Sequence, residues 1–333
     1  MGQGAAGAEE GAMSVDVTLP DGWESRVRRA LASVRDDFAR GSLRPLGAGM
    51  ESVALRLDPP DGDADRPFVL RFPRNEDGAE GIACEAALLP ELAEHLPLPI
   101  PRFVFTAPNP LGPGEFCCYP AVPGESLSEE EWHRRGLLDE PAPIRRIAAL
   151  IDAIHAFPAT RARQLGVPEW DPRAEFSESL DLLRAEIVPA LSPAESRTLL
   201  AAFETYLGDD ACFDYEPTLI HADISLDHLL VTGTDVTGLI DFGDTTIGDP
   251  DYDLCYLWSE TGPGFIRRLQ ELRGVPFSDR LERKLRFWEL ADVTEDVLHG
   301  IEHGLAEFRD QSLALLRDLL SERTPSRRPQ TAP

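Results

Sequence analysis

The chain has 333 residues, of which 59 are Asp or Glu and 32 are Lys or Arg, giving a formal net charge of −27. A surface this acidic repels phosphate backbones and anionic headgroups, which argues against a nucleic-acid or membrane partner. Hydrophobic residues are 42% of the sequence, enough for a sizeable core, yet no apolar run approaches the roughly 18 residues of a membrane span. The length suits one large domain or two lobes of ordinary size. The N-terminus carries neither a basic nor an apolar leader segment, and the five cysteines are odd in number with no CxxC spacing, so a reducing cytoplasm is expected. Lys284 is the one lysine among the 32 basic residues, so any role for an earlier cation falls to arginine.

Residues 1–21 are rich in Gly, Ala and Glu and read as a disordered leader, and residues 321–333 as a flexible tail. Trp23–Phe38 has helical spacing. Short segments of strand character follow at Leu43–Ala48, Val53–Asp58, Pro67–Phe72, Pro101–Thr106 and Glu115–Val122, separated by Gly, Pro and Asp. One helix, Gly81–Leu96, interrupts them, and Pro90 predicts a break after its second turn. From Ser126 onward the periodicity is helical at Ile144–Phe157, Phe176–Ile187, Glu195–Leu207, Gly264–Arg273, Asp279–Leu290, Val293–Phe308 and Arg309–Leu320. The exception is a hairpin, Leu229–Val231 and Val236–Ile240 around Thr232-Gly233-Thr234-Asp235.

Acids flank that hairpin. Asp223 precedes its first strand and Asp241 ends its second, so folding back the hairpin brings the two together. His228 follows Asp223 by five residues, within reach of the same cation. Mg²⁺ takes oxygen ligands, a few from protein and the rest from phosphate and water. One acid for the metal, a second ligand and one acid left free as base suit phosphoryl transfer.

His221-Ala222-Asp223…His228 followed by Asp241-Phe242-Gly243-Asp244 resembles the catalytic segment of protein-kinase-like phosphotransferases, above all the aminoglycoside 2''- and macrolide phosphotransferases. The resemblance covers roughly residues 22–310. It implies a bilobal α+β fold, with a small antiparallel-sheet lobe at 22–122 and a mostly helical lobe at 123–320. It implies Asp223 as catalytic base, His221 as the residue orienting the loop, and His228 and Asp241 as ligands of Mg²⁺. ATP or GTP would be the donor. Gly47, Gly49 and Ser52 would form the turn over its phosphates, with Arg71 in the place usual for lysine. Glu85 would pair with Arg71, Glu80 being the rival. Backbone near Tyr119 would bond the purine edge, with Ala121 N–H as donor because Pro120 has none. Asp253 would brace the catalytic loop, and His155 would be structural.

The implied acceptor is a small cationic antibiotic, an aminoglycoside, bound by Asp244, Trp258, Glu260, Glu295 and Glu302, with Asp292 and Asp296 nearby. Where aminoglycoside 2''-enzymes carry an acidic run, this chain has Glu260 and adds Trp258. Three alternatives stand beside it: a macrolide phosphotransferase, a metabolic small-molecule kinase of the same fold, and a nucleotide-binding pseudokinase. A monomer is expected. His299-Gly300-Ile301-Glu302-His303 also matches the inverted zincin pattern HxxEH, though without an evident third ligand.

Overall fold

A computed structural model describes residues 19–49, 51–60 and 67–323. The predicted leader lies almost wholly outside these residues, and so do Met50 and the tail from Thr324. An N-terminal helix, α1 (Trp23–Val34), buries Val27 and Leu31. The expected single helix to Phe38 is interrupted: Arg35 adopts an extended conformation (φ −145°), and a separate turn, α2 (Asp36–Ala39), follows. Arg35 pairs with Asp37 and lies 4.0 Å from the centre of the Phe38 ring, so local contacts hold the break.

Five strands form one antiparallel sheet: β1 (Ser42–Ala48), β2 (Ser52–Asp58), β3 (Phe68–Pro73), β4 (Phe105–Pro108) and β5 (Glu115–Pro120), in the order β1-β2-β3-β5-β4. β2 alternates half-buried and buried residues along its length, as a strand covered mainly on one face should. β5, next to the edge strand, has four consecutive buried residues from Phe116 to Tyr119. One face packs on α1 through Leu55, Leu57, Leu70, Phe72 and Phe116. On the other, Val69, Cys117 and Tyr119 pack against Ile82 of the helix that follows β3. The strand expected at Pro101–Thr106 starts four residues later; β4 gains its pairing from β5, with Phe105 opposite Cys118.

Helix α3 (Glu76–Leu92) starts at an Asn75 cap that accepts the Gly78 N–H. It begins five residues before the expected Gly81 and ends four before the expected Leu96, so Pro90 falls in its last turn. Only two residues of the helix follow Pro90, and the predicted mid-helix break does not occur. The remainder is helical: α4 (Glu129–Arg134), α5 (Pro141–His155), α6 (Ala159–Gln164), α7 (Pro172–Glu186), α8 (Pro193–Gly208), α9 (Cys255–Arg273), α10 (Asp279–Glu302) and α11 (Ala306–Arg323). The segments expected at 279–290 and 293–308 join through Ala291 and Asp292 into one helix, α10, which ends at Glu302, and Ala306–Phe308 belong to α11. α10 is buried on more than one side, which blurs the periodicity. α9 is broken at Gly262 (φ 73°), just before Pro263. Two small sheets sit among the helices: β6 (Thr218–Ile220) with β9 (Thr246–Gly248), and β7 (Leu229–Thr232) with β8 (Asp235–Leu239). No helix of the described residues is long and apolar enough to cross a membrane.

Candidate active site

The β7–β8 hairpin turns at Gly233 (φ 65°) and returns the chain so that Asp223 and Asp241 lie at its open end. His228 stands between them. Its Nδ1 is 3.0 Å from the Asp223 carbonyl and 3.3 Å from Asp223 Oδ2, and its Nε2 is 3.8 Å from Asp241 Oδ2. Two residues here, Ala222 (φ 69°) and Asp241 (φ 63°), are the non-glycine residues with left-handed backbone among those described. Such conformations are costly and persist where surrounding contacts impose them. The contacts are present: Ala222 N–H donates to Asp253 Oδ1 at 2.8 Å, and the other oxygen of that buried carboxylate is 2.9 Å from His155 Nε2. Arg273 reaches both His155 and Asp152, so the brace extends across α5 and α9.

His221 is wholly buried, and burial drives its imidazole down to about 4. It is therefore neutral, with Nε2–H donating to the Ile240 carbonyl (3.2 Å) and Nδ1 accepting the Asp223 N–H (3.2 Å). The ring thus ties the loop before β7 to the end of β8 and touches no reacting group. Burial raises Asp223 against the pull of His228. Burial would lower His228, but the carboxylates of Asp223, Asp241 and Asp227 outweigh it and hold the ring charged. Burial also opposes ionisation of Asp241, yet Arg71 and His228, with the Gly243 N–H, keep it below the usual carboxylate range.

Asp241 and His228 suit Mg²⁺ as partial ligands. Among the described residues no group of three His, Cys, Asp or Glu is assembled to hold a metal, so a cation here would complete its shell from phosphate and water, as Mg²⁺ commonly does. His228 must give up a proton to ligate, which couples binding there to proton release.

On the sheet side, Arg71 of β3 meets Glu85 of α3 in a two-pronged pair, 2.9 and 3.0 Å, with its Nη2 also 3.7 Å from Asp241 Oδ1. Glu85 is 1% exposed and Glu80 is exposed, so the rivalry between them resolves to Glu85. Gly47 and Gly49 lie at the β1–β2 turn, which closes through Gly49 N–H to the Ser52 carbonyl (2.9 Å). A Cβ at either glycine would meet nothing within 4 Å, so the turn is open to a ligand from above. Tyr119 is buried against Phe103, ring centres 5.7 Å apart. The Ala121 N–H is not free for a purine: it donates to the Pro67 carbonyl at 2.8 Å. Strand alternation turns the peptide groups of Tyr119 and Ala121 toward β3 and those of Pro120 and Val122 the other way. The free donor of this segment is thus Val122 N–H, one residue beyond the expected Ala121.

The expected acceptor residues divide. Asp244 is exposed beside Asp241. Asp292, Glu295 and Asp296 cluster on α10. Burial, then Asp292 and Glu295, pushes Asp296 up to about 7. Tyr256 donates to Asp292 at 3.1 Å, and Trp170 donates to Glu175 at 2.8 Å. The charges of Asp292, Glu175 and Asp244 all bear on the buried Tyr252, so these acids form one acidic cluster around that side chain. Glu175 belongs to α7, far away in sequence, and carries no local motif.

Three expectations are corrected. Trp258 is 4% exposed in the helical core, stacked on Phe277 and donating toward Glu289, because the α9 face it occupies packs inward. Glu260 points at the catalytic loop and accepts the Leu226 N–H at 2.8 Å. Glu302 is exposed at the far end of α10, outside the acidic cluster. His299 and His303 lie with ring centres 4.3 Å apart, but the described residues supply no third ligand. Lys284, unassigned by sequence, is buried and bridges Asp249 and Asp251 at the start of α9.

A profile of the phosphotransferase enzyme family matches residues 42–288. Among solved structures, the aminoglycoside phosphotransferase APH(2'')-IIIa in complex with GDP and kanamycin superposes with a TM-score of 0.81 and 27% identity, over 89% of this chain and 98% of the other. Macrolide 2'-phosphotransferase MphH from Brachybacterium faecium gives a TM-score of 0.70 at 25% identity, over 87% of this chain and 97% of that one. Among curated proteins, an aminoglycoside 3'-phosphotransferase of Escherichia coli is 30% identical over 151 residues, 44% of this chain and 54% of that enzyme. The chain thus spans about half the length of that relative.

Proposed function

Because the chain belongs to the phosphotransferase enzyme family, we propose that it transfers the γ-phosphoryl group of ATP or GTP to a hydroxyl of an aminoglycoside. The observation that carries the acceptor class is the cluster of acids Asp244, Glu175, Asp292, Glu295 and Asp296, of which Asp244 bears on Asp223 and Asp292 bears with Asp223 on Tyr256. Carboxylates crowded enough to raise one another's proton affinity are a site for a polycation. Trp258, the residue that would have favoured a large apolar macrolide, lies in the core and lends that alternative no support.

In this reading the acceptor oxygen attacks the γ-phosphorus and its proton passes to Asp223. The new O–P bond forms as the bond to the β–γ bridging oxygen breaks, and that electron pair leaves with the nucleoside diphosphate. Asp223, raised by burial, suits a proton acceptor near neutral pH. Asp241 and His228 would hold Mg²⁺, which neutralises triphosphate charge when bound. Arg71, fixed by Glu85, adds a positive charge on the sheet side. The purine edge would meet Val122 N–H and the Pro120 carbonyl.

The test is steady-state kinetics with kanamycin and with a macrolide across a salt series. Attraction of a polycation to an acidic cluster is screened over a Debye length near 10 Å at 0.1 M salt. The kanamycin KM should rise severalfold between low and high salt. Turnover of the macrolide alone, with a salt-independent KM, would reject the aminoglycoside reading.

A further inference from the structure

The loop carrying Asp223 is held at two residues, Ala222 and Leu226. Before Asp223, the Ala222 N–H is held by Asp253. After it, the Leu226 N–H donates to Glu260 Oε2 at 2.8 Å, and the Leu226 carbonyl accepts from Trp132 Nε1 at 2.9 Å. Leu226 and Trp132 are fully buried. Asp253 lies in the 3-10 turn just before α9, and Glu260 lies in the second turn of α9, seven residues on. The two N–H groups they hold are four residues apart and bracket Asp223. Gly262 breaks the helix two residues after Glu260, so the segment that presents Glu260 is separate from the rest of α9.

We propose that Glu260, with Trp132, is a positioning residue that clamps the Leu226 peptide and thereby fixes the loop between the base Asp223 and His228. This role differs from an acceptor contact, which its place in the sequence suggested. Asp227, Glu129 and Asp223 are the charged groups that bear on its carboxyl. None is a cation, so a peptide N–H is the partner that satisfies it. The clamp ties the loop to α4 on one side and α9 on the other. Tyr256, one turn before Glu260, donates to Asp292 in the acidic cluster. The helix that holds the base is therefore also in contact with the acids of the proposed acceptor site. The kinetic part of this inference rests on the proposed function; the clamp itself does not.

The experiment compares the full-length protein with Glu260→Ala, Glu260→Gln and Trp132→Phe. Amide hydrogen exchange is followed at residues 222–228 without substrate, and kinetics are measured with nucleotide and kanamycin. Losing this hydrogen bond should speed Leu226 exchange by roughly tenfold in Glu260→Ala. Glu260→Gln keeps an acceptor oxygen and should restore most of the protection. Trp132→Phe, which removes the donor and part of the buried indole's volume, should loosen the same amide. In kinetics, kcat should fall about tenfold or more in Glu260→Ala, while both KM values stay within about threefold. Unchanged exchange at Leu226 would overturn the clamp whatever the acceptor proves to be. A raised kanamycin KM with intact kcat would overturn it in favour of direct substrate contact. Should kanamycin be no substrate at all, the exchange result still decides the clamp, and only the functional reading falls.

Discussion

Replacing Arg71 by alanine isolates the consequence of an ion pair between β3 and α3. The guanidinium gives Glu85 one hydrogen bond, Nη1 to Oε2 at 3.0 Å, and an ion-pair contact, Nη2 to Oε1 at 2.9 Å, and the carboxylate is 1% exposed, so no water can take over. Breaking a buried pair from one side costs about 3–5 kcal/mol, because the orphaned charge must be neutralised or solvated. At roughly 2–4 °C per kcal/mol for a chain of this size, the melting temperature should fall by roughly 6–20 °C. The double variant Arg71→Met with Glu85→Leu leaves no orphan and should recover to within about 1 kcal/mol of the parent, yet show no turnover. Arg71→Lys keeps the charge but not the planar fork. It should cost about 1 kcal/mol and retain measurable activity. Thermal unfolding monitored by circular dichroism, paired with a turnover assay, reads all three. A single Arg71→Ala loss below about 1 kcal/mol, or a double variant no more stable than the single, would refute the reasoning.

Two further outcomes follow from the site. Asp241→Ala should abolish turnover, whereas His228→Asn should keep a measurable fraction, because a neutral oxygen donor replaces a ring that must first lose a proton; equal loss in both, seen in Mg²⁺-dependent kinetics, would contradict the unequal roles. Asp296 is pushed up to about 7 by burial and by Asp292 and Glu295, so its folded affinity for protons exceeds its unfolded one near 3.9. Its contribution to stability is then fullest below about pH 4 and is lost as pH rises toward 7. Asp296→Asn should therefore melt higher than the parent at pH 7.5, with the gap closing toward pH 4, while the kanamycin KM rises; a gap that does not depend on pH would remove the repulsion argument.

What could be read from the sequence was what local spacing determines. His221, Asp223, His228 and Asp241 are close in sequence around one tight hairpin, so their convergence needs no knowledge of distant packing. Arg71 and Glu85 lie on adjacent elements and meet as expected. The failures share a different cause. Whether Ala121 or Val122 faces the cleft depends on the register of β5 against β3, which one residue reverses. Trp258 and Glu260 are two positions apart on one helix, and which way each points is set by α10 and the catalytic loop. Glu175 joins the acidic cluster from α7, where it looks like any exposed helical acid. The strands β6 and β9 are three residues each and gain their identity from pairing with one another across more than 20 positions.

The most direct test of the account is mass spectrometry of kanamycin incubated with the enzyme, Mg²⁺ and GTP or ATP, beside the same reaction with Asp223→Asn. The account predicts that kanamycin gains the mass of one phosphoryl group and that one nucleoside diphosphate appears for each modified molecule. With Asp223→Asn the rate should fall by at least about 100-fold while nucleotide binding, measured by calorimetry, is nearly unchanged. Unmodified kanamycin alongside consumption of the nucleotide, or turnover by Asp223→Asn within about threefold of the parent, would contradict it.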